Sequence, residues 1–215
     1  MMAILGFQTA KIPFFPPIIE SSMLTHILTL VLEVAASLIA GAALLRLYFQ
    51  FHHIPMSLRS GNPFEPYIFY LTNWSVMPLR RVLPSWGRLD LASLALAFLV
   101  LLIKCIILGF LGVLSPEPMA LVVDALYELL NLCLSSLSTL VLVYALLSWF
   151  STSTPMFDLL QRMVFPLVAP IRRIMPTTGA LDLSPLVLLL LLQIGEIALR
   201  DLHLMVLQFI WTQLN

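Results

Sequence analysis

Charge is scarce in this 215-residue sequence: Asp, Glu, Lys and Arg together make up 10% of it, where soluble domains carry about 25%. With 60% of residues hydrophobic and a mean hydropathy of +1.02, that scarcity excludes an ordinary water-soluble domain and points to an integral membrane protein. Neither sign prevails, eleven basic residues standing against eleven acidic ones, so no bulk field exists to attract nucleic acid. Cysteine is nearly absent. Cys105 and Cys133 both lie inside apolar runs, where they behave as small hydrophobes, and neither a disulfide framework nor a zinc site is expected. His52 and His53 have no Cys or second His cluster at ligand spacing, so they do not make a metal site. Few glycines, among them Gly41, Gly109 and Gly195, interrupt the apolar runs, which argues against the broken helices that mark midplane substrate sites in transporters. A Gly-rich phosphate loop, HExxH and GxSxG are all missing. Nothing points to an enzyme, and no cofactor or metal is expected.

What the chain does have is long apolar runs. A helix needs about 20 apolar residues to cross a bilayer, and four segments qualify: Ser21–Phe51, Leu91–Val113, Ala120–Phe150 and Leu183–Leu214. Residues 1–20, broken by Pro13, Pro16 and Pro17, read as an exposed or interfacial lead-in. They make a weak signal peptide, because no basic residue precedes their apolar part. A short connector, LSPEP, joins the second and third spans, and its prolines enforce a tight reversal. The long connections, 52–90 and 151–182, hold seven of the eleven basic residues: Arg59, Arg80, Arg81, Arg88, Arg162, Arg172 and Arg173. The positive-inside rule puts both loops in the cytoplasm and both termini across the membrane. The expectation is an all-α fold of four transmembrane helices, arranged as two parallel-repeat hairpins over residues 21–113 and 120–214. Each loop should carry an amphipathic interfacial helix: PFEPYIFYLTNWSVM, with Phe64, Ile68, Leu71 and Trp74 on one face, and MFDLLQRMVFPLVAP, with Phe157, Leu160, Val164 and Leu167. Pro78 and Pro170 are expected to close these helices. Tyr67, Tyr70, Trp74 and Trp86 suit headgroup depth.

The repeat is written most plainly in PLRRVLPSWGRLDLASL, residues 78–94, and PIRRIMPTTGALDLSPL, residues 170–186, identical at nine of seventeen positions and 92 residues apart. Both fit P-x-R-R-x-x-P-x-x-G-x-x-D-L. Pro78 and Pro84, like Pro170 and Pro176, should deny the intervening stretch a continuous helix and hold the arginines on extended backbone. Gly87 and Gly179 permit the chain to reverse, while Asp90 and Asp182 complement the N-terminus of the next span. Arg80, Arg81, Arg172 and Arg173 admit two readings. They snorkel to lipid phosphates or pair with the following aspartate, or they form a binding surface for an anionic lipid or a partner protein.

Ionisable residues within spans are costly and need partners. Glu33 and Lys104 lie at depths that differ by about 6 Å at 1.5 Å per residue, so they are expected to pair. Asp124 and Glu128 should face Glu196, Arg200 and His203, with Glu196 and Arg200 also four residues apart on one helix face. Ion pairing that locks each hairpin is the favoured role, a proton or ion path the other. Arg46 is expected to snorkel.

The paired Arg-Arg motifs, LLRLYFQF before the first loop, GNPF within it and LLSWFSTSTP before the second resemble the YggT family, also called YlmG, over roughly residues 21 to 210. The first copy departs from the family's D-x-S-P, reading Asp90-Leu91-Ala92-Ser93. The resemblance implies a small multi-pass protein of the bacterial inner membrane or thylakoid, without a settled biochemical activity. Members are linked to osmotic or ion tolerance, to cell division and nucleoid distribution, and to maturation of a plastid membrane cytochrome. That spread suggests a non-enzymatic scaffold or assembly factor in contact with the bilayer, anionic lipids and an unknown membrane protein. The alternative is an ion-transport or osmotic-stress protein using the intramembrane charges.

Overall fold

The computed structural model describes residues 23–52, 65–82, 90–149, 154–174 and 182–214. These residues form six helices: α1 (Met23–Phe51), α2 (Glu65–Val82), α3 (Leu91–Phe110), α4 (Pro118–Trp149), α5 (Pro155–Ile174) and α6 (Ser184–Leu214). Three of them, α1, α3 and α4, are long and apolar enough to cross a membrane. Apolar side chains such as Met23, Leu24, Phe110, Met205 and Phe209 point away from the protein, a surface suited to lipid and unfavourable in water. The chain is a membrane protein. With 31 residues α6 is long enough as well, but it concentrates Glu196, Arg200 and Asp201 in six positions, so by composition it does not stand with the other three.

Neighbouring long helices run antiparallel. The C-terminal half of α1 meets the N-terminal half of α3 through Ala36, Ala40, Ala43 and Leu44 against Ala92, Leu96, Ala97 and Leu101. Alanines at i, i+4 and i+7 put almost no side chain between the backbones. In lipid, where apolar burial gains little, that close van der Waals approach is what drives helices together. Helix α3 then ends on Gly112, whose φ of 70° places it in the left-handed region. Val113 N–H reaches Leu108 O at 3.0 Å and Gly112 N–H reaches Gly109 O at 3.1 Å, the two bonds of a Schellman cap. The reversal was expected from the prolines of LSPEP. Those follow the stop, but the glycine makes it. The returning helix packs closely, with Leu121 about one methyl's reach from Gly109. Helices α4 and α6 pair along most of their length, Val141 and Tyr144 meeting Leu188, Leu189 and Leu192.

The two loop helices, α2 and α5, sit at one end of this bundle. Helix α2 packs on α1 and α3, and α5 packs on α4 and α6. They share a small cluster in which Phe49, Ile68 and Met163 come from α1, α2 and α5, and the Tyr48 hydroxyl donates to the Met163 carbonyl. The inward face of α5 is Leu160, Met163, Val164 and Val168, close to the expected one. That of α2 is not. Ile68, Thr72 and Val76 are buried, whereas Leu71 and Trp74 are exposed along with Tyr67 and Tyr70, because the inward face carries a polar Thr72 that pairs with a buried arginine.

Neither Pro78 nor Pro170 closes its helix. Helix α2 runs through Pro78 to Val82, and α5 runs through Pro166 and Pro170 to Ile174. A proline removes one i→i−4 bond, yet each helix continues because its last turn is held from beyond the break, by Leu79 packing in α2 and by the Arg172–Asp182 bond in α5. The arginine pairs therefore stand on the last helical turn, not on extended backbone, where the helix dipole favours cations. Pro84, Gly87, Pro176 and Gly179 lie outside the described residues, as do His53, Trp86 and the lead-in.

Candidate functional site

Each short helix is tied to the start of the following long helix by an arginine and an aspartate ten residues apart. In the first junction Arg80 Nη2 donates to Asp90 Oδ2 at 2.5 Å. Ser93, one turn into α3, adds a hydroxyl bond to the same oxygen at 2.9 Å. Asp90 is fully buried and stands at the N-cap of α3, as expected, but its carboxylate makes no bond to the α3 backbone; the arginine and Ser93 have taken it. In the second junction Arg172 Nε donates to Asp182 Oδ2 at 2.7 Å, and its Nη2 also bonds that oxygen. There Asp182 does cap, its Oδ1 accepting from Ser184 N–H at 3.0 Å. Tyr144 OH stands 3.5 Å from Arg172 Nη2, with its ring stacked on Phe157 at 5.7 Å.

These arrangements shift the titration of their members. Burial pushes the Asp90 carboxyl up. Hydrogen bonds from Arg80 and Ser93, with the charges of Arg80 and Arg46, more than offset that and hold it below the ordinary aspartate value. Burial likewise opposes ionisation of Asp182, but bonds from Ser184 and Arg172 hold its pKa down. Arg172 loses solvation yet is pushed up by Asp182 and, more weakly, by Tyr144. Of the two readings of the arginines, pairing with the aspartate describes Arg80 and Arg172. Arg81 and Arg173 are exposed and make no ion pair among the described residues.

Arg46 does not snorkel. It is buried at the end of α1, where Nη1 donates to Thr72 Oγ1 at 2.9 Å and to Asn73 Oδ1 at 2.8 Å. Thr72 in turn donates to Ile68 O at 2.6 Å. The guanidinium lies 5.1 Å from the centroid of the Phe69 ring, a cation–π distance, and Nε stands 3.8 Å from Asp90 Oδ2. The first junction thus holds two cations against one carboxylate, the second one against one. Arg46 Nε and Asp90 Oδ1 are both buried without a hydrogen-bond partner. The sequence signal for this role was the polar pair Thr72–Asn73 in the middle of an otherwise apolar helical stretch.

The intramembrane charges also pair differently from expectation. Lys104 does not meet Glu33. Its Nζ lies 2.5 Å from Glu128 Oε1, joining α3 to α4, while Glu33 is exposed on α1 beside His26 and Leu30. The hairpin-locking pair predicted for α1 and α3 is absent among the described residues, and its lysine bridges the two halves instead. A depth match along the normal carries no information about which face a residue occupies. On α4, Asp124 Oδ1 is 2.7 Å from His203 Nε2 of α6, and the Tyr127 ring stacks on that imidazole at 4.1 Å, so this contact runs between the helices foreseen. Glu196 accepts from Ser138 at 3.0 Å and does not pair with Arg200, which is exposed.

A profile of the CCB3/YggT family matches residues 22–111 and 123–203. The uncharacterized protein YggT of Escherichia coli K12 is 33% identical over 175 residues, covering 81% of this chain and 89% of that one. An uncharacterized protein in the proC 3′ region of Vibrio alginolyticus is 35% identical over 146 residues, 66% of this chain and 78% of its own. An uncharacterized protein of Haemophilus influenzae is 32% identical over 136 residues, 61% and 70% respectively. No solved structure matches.

Proposed function

From the premise that this chain belongs to the CCB3/YggT family, we propose that it is a non-enzymatic scaffold or assembly factor of the bacterial inner membrane. In this reading α6 crosses the bilayer beside α4, making four spans in two like hairpins. The basic loops 52–90 and 151–182 lie in the cytoplasm and the termini opposite, with α2 and α5 in the cytoplasmic interface. The observation that carries the proposal is the division of labour within each arginine pair. The first arginine, Arg80 or Arg172, pairs with an internal carboxylate. The second, Arg81 or Arg173, is left exposed on the last turn of a short helix. Both short helices stand at one end of the bundle, so the two exposed cations serve one side of the membrane. Exposed Tyr67, Tyr70 and Trp74 on α2 suit an interfacial depth. No nucleophile–base pair accompanies them among the described residues, and the expected partner is a membrane protein docking on the loops.

The test is crosslinking mass spectrometry in intact cells. Arg81→Ala combined with Arg173→Ala should lose specific crosslinked neighbours while the protein keeps its abundance and melting temperature. An unchanged neighbour profile removes the scaffold reading.

A second reading, ion movement linked to osmotic tolerance, is favoured by Lys104–Glu128 and Asp124–His203 spanning three helices in sequence. It requires flux in proteoliposomes that Glu128→Gln abolishes. Silence under potassium, sodium and proton gradients excludes it.

A further inference from the structure

We propose that Arg80 is a releasable arm that binds a phosphate oxyanion at the membrane surface, the headgroup of an anionic phospholipid, while Arg46 keeps Asp90 neutralised. The first junction holds a surplus cation: Arg46 and Arg80 converge on Asp90 Oδ2, at 3.8 Å and 2.5 Å. The two arginines differ in access. The Arg80 side chain is 42% exposed and that of Arg46 only 5%, with Asp90 at 0%. A carboxylate that deep cannot lose its only cation without leaving a bare buried charge, and here it need not. Arg46 Nε has no hydrogen-bond partner and stands 3.8 Å from Asp90 Oδ2, the oxygen that Arg80 would vacate, so Asp90 keeps an arginine beside it after Arg80 swings out. Arg80 then presents a planar fork of donors that matches phosphate geometry, beside exposed Arg81 on the same helical turn.

The second junction is the internal control. Arg172 bonds Asp182 through both Nε and Nη2, and its Nη2 also lies 3.5 Å from the Tyr144 hydroxyl. No second cation pairs with Asp182 among the described residues, so Arg172 stays where it is. Anion binding is therefore a property of the first junction, although both motifs read P-x-R-R.

The inference concerns the same junctions as the scaffold reading but is scored by a different measurement. Native mass spectrometry of the purified full chain is run with phosphatidylglycerol and with phosphatidylcholine as probes. Wild type should retain phosphatidylglycerol preferentially, and Arg80→Ala should lower its retention roughly tenfold or more, as expected for one charge-assisted hydrogen bond. Arg172→Ala should keep the preference; if that variant does not accumulate, Arg172→Lys replaces it with the same expectation. Arg46→Met should also lower retention, because Arg80 is then needed by Asp90 and cannot leave. Equal losses in the Arg80 and Arg172 variants, or full retention in Arg80→Ala, overturn the proposal. A parallel titration with inorganic phosphate separates the sources: displacement of the lipid at millimolar phosphate identifies a free anion as the ligand, and its failure identifies the headgroup. Lost crosslinked neighbours in the Arg81/Arg173 double variant, with full phosphatidylglycerol retention in Arg80→Ala, would count against this inference and not against the scaffold.

Discussion

At the scale of single residues the governing fact is that a buried charge must be answered. Asp90 is held by two arginines and a serine, and its depressed pKa has a direct consequence for stability. A carboxyl whose folded pKa lies below its unfolded value contributes stability above about pH 4, which is lost as the pH falls through the folded value. Asp182 behaves in the same direction. Thermal unfolding in detergent should therefore be insensitive to these groups near neutrality and weaken as the pH drops below about 4. Asp90→Asn should flatten part of that acid slope. It should also cost about 3–5 kcal/mol at pH 7, since Arg46 is left buried without a counter-charge. An acid profile identical to wild type would show that the junction does not carry this linkage.

At the scale of elements, the sequence located every helix and misjudged where three of them stop. Amphipathic spacing identified α2 and α5, but the proline rule predicted breaks at Pro78 and Pro170 that do not occur. Proline's local penalty is a few kcal/mol; in α2 the packing of Val76 and Leu79 opposes it, and in α5 the packing of Val164 and Val168 with the Arg172–Asp182 bond beyond the proline does so. That opposing term is tertiary and cannot be read from local spacing. The end of α3 shows the reverse case. Gly112 looked unremarkable beside the prolines of LSPEP, yet it adopts the left-handed conformation on which both capping bonds depend. Gly112→Ala should destabilise the protein by about 1 kcal/mol, the cost of a Cβ in that region, a drop visible as a lower melting temperature. Substituting Gly41, around which there is open space, should by comparison have little steric effect. Equal tolerance at both positions would contradict this account of the turn.

At the scale of the whole molecule, Lys104–Glu128 is the link that matters, because it joins α3 to α4 and hence the first half of the chain to the second. Replacing Lys104 by Met should destabilise by about 3 kcal/mol, and combining it with Glu128→Leu should recover most of that loss, since the penalty is an uncompensated charge and not a missing attraction. Additive losses in the double variant, measured by unfolding in detergent, would mean that the two do not act as a pair.

Composition and run length by themselves determined that the chain is a helical membrane protein and where its long helices lie. Those properties depend on summed hydrophobicity and on residue spacing, both of which are written along one dimension. The partners of the charges were decided only in three dimensions. Arg46 went to Thr72, Asn73 and Asp90 instead of to lipid, Lys104 went to Glu128 instead of Glu33, and Asp90 served two arginines while Asp182 served one. The physical reason is that pairing depends on which helix faces meet. Small-residue seams such as Ala36–Ala40–Ala43 set that rotation, so two motifs of one pattern came to rest in unlike surroundings.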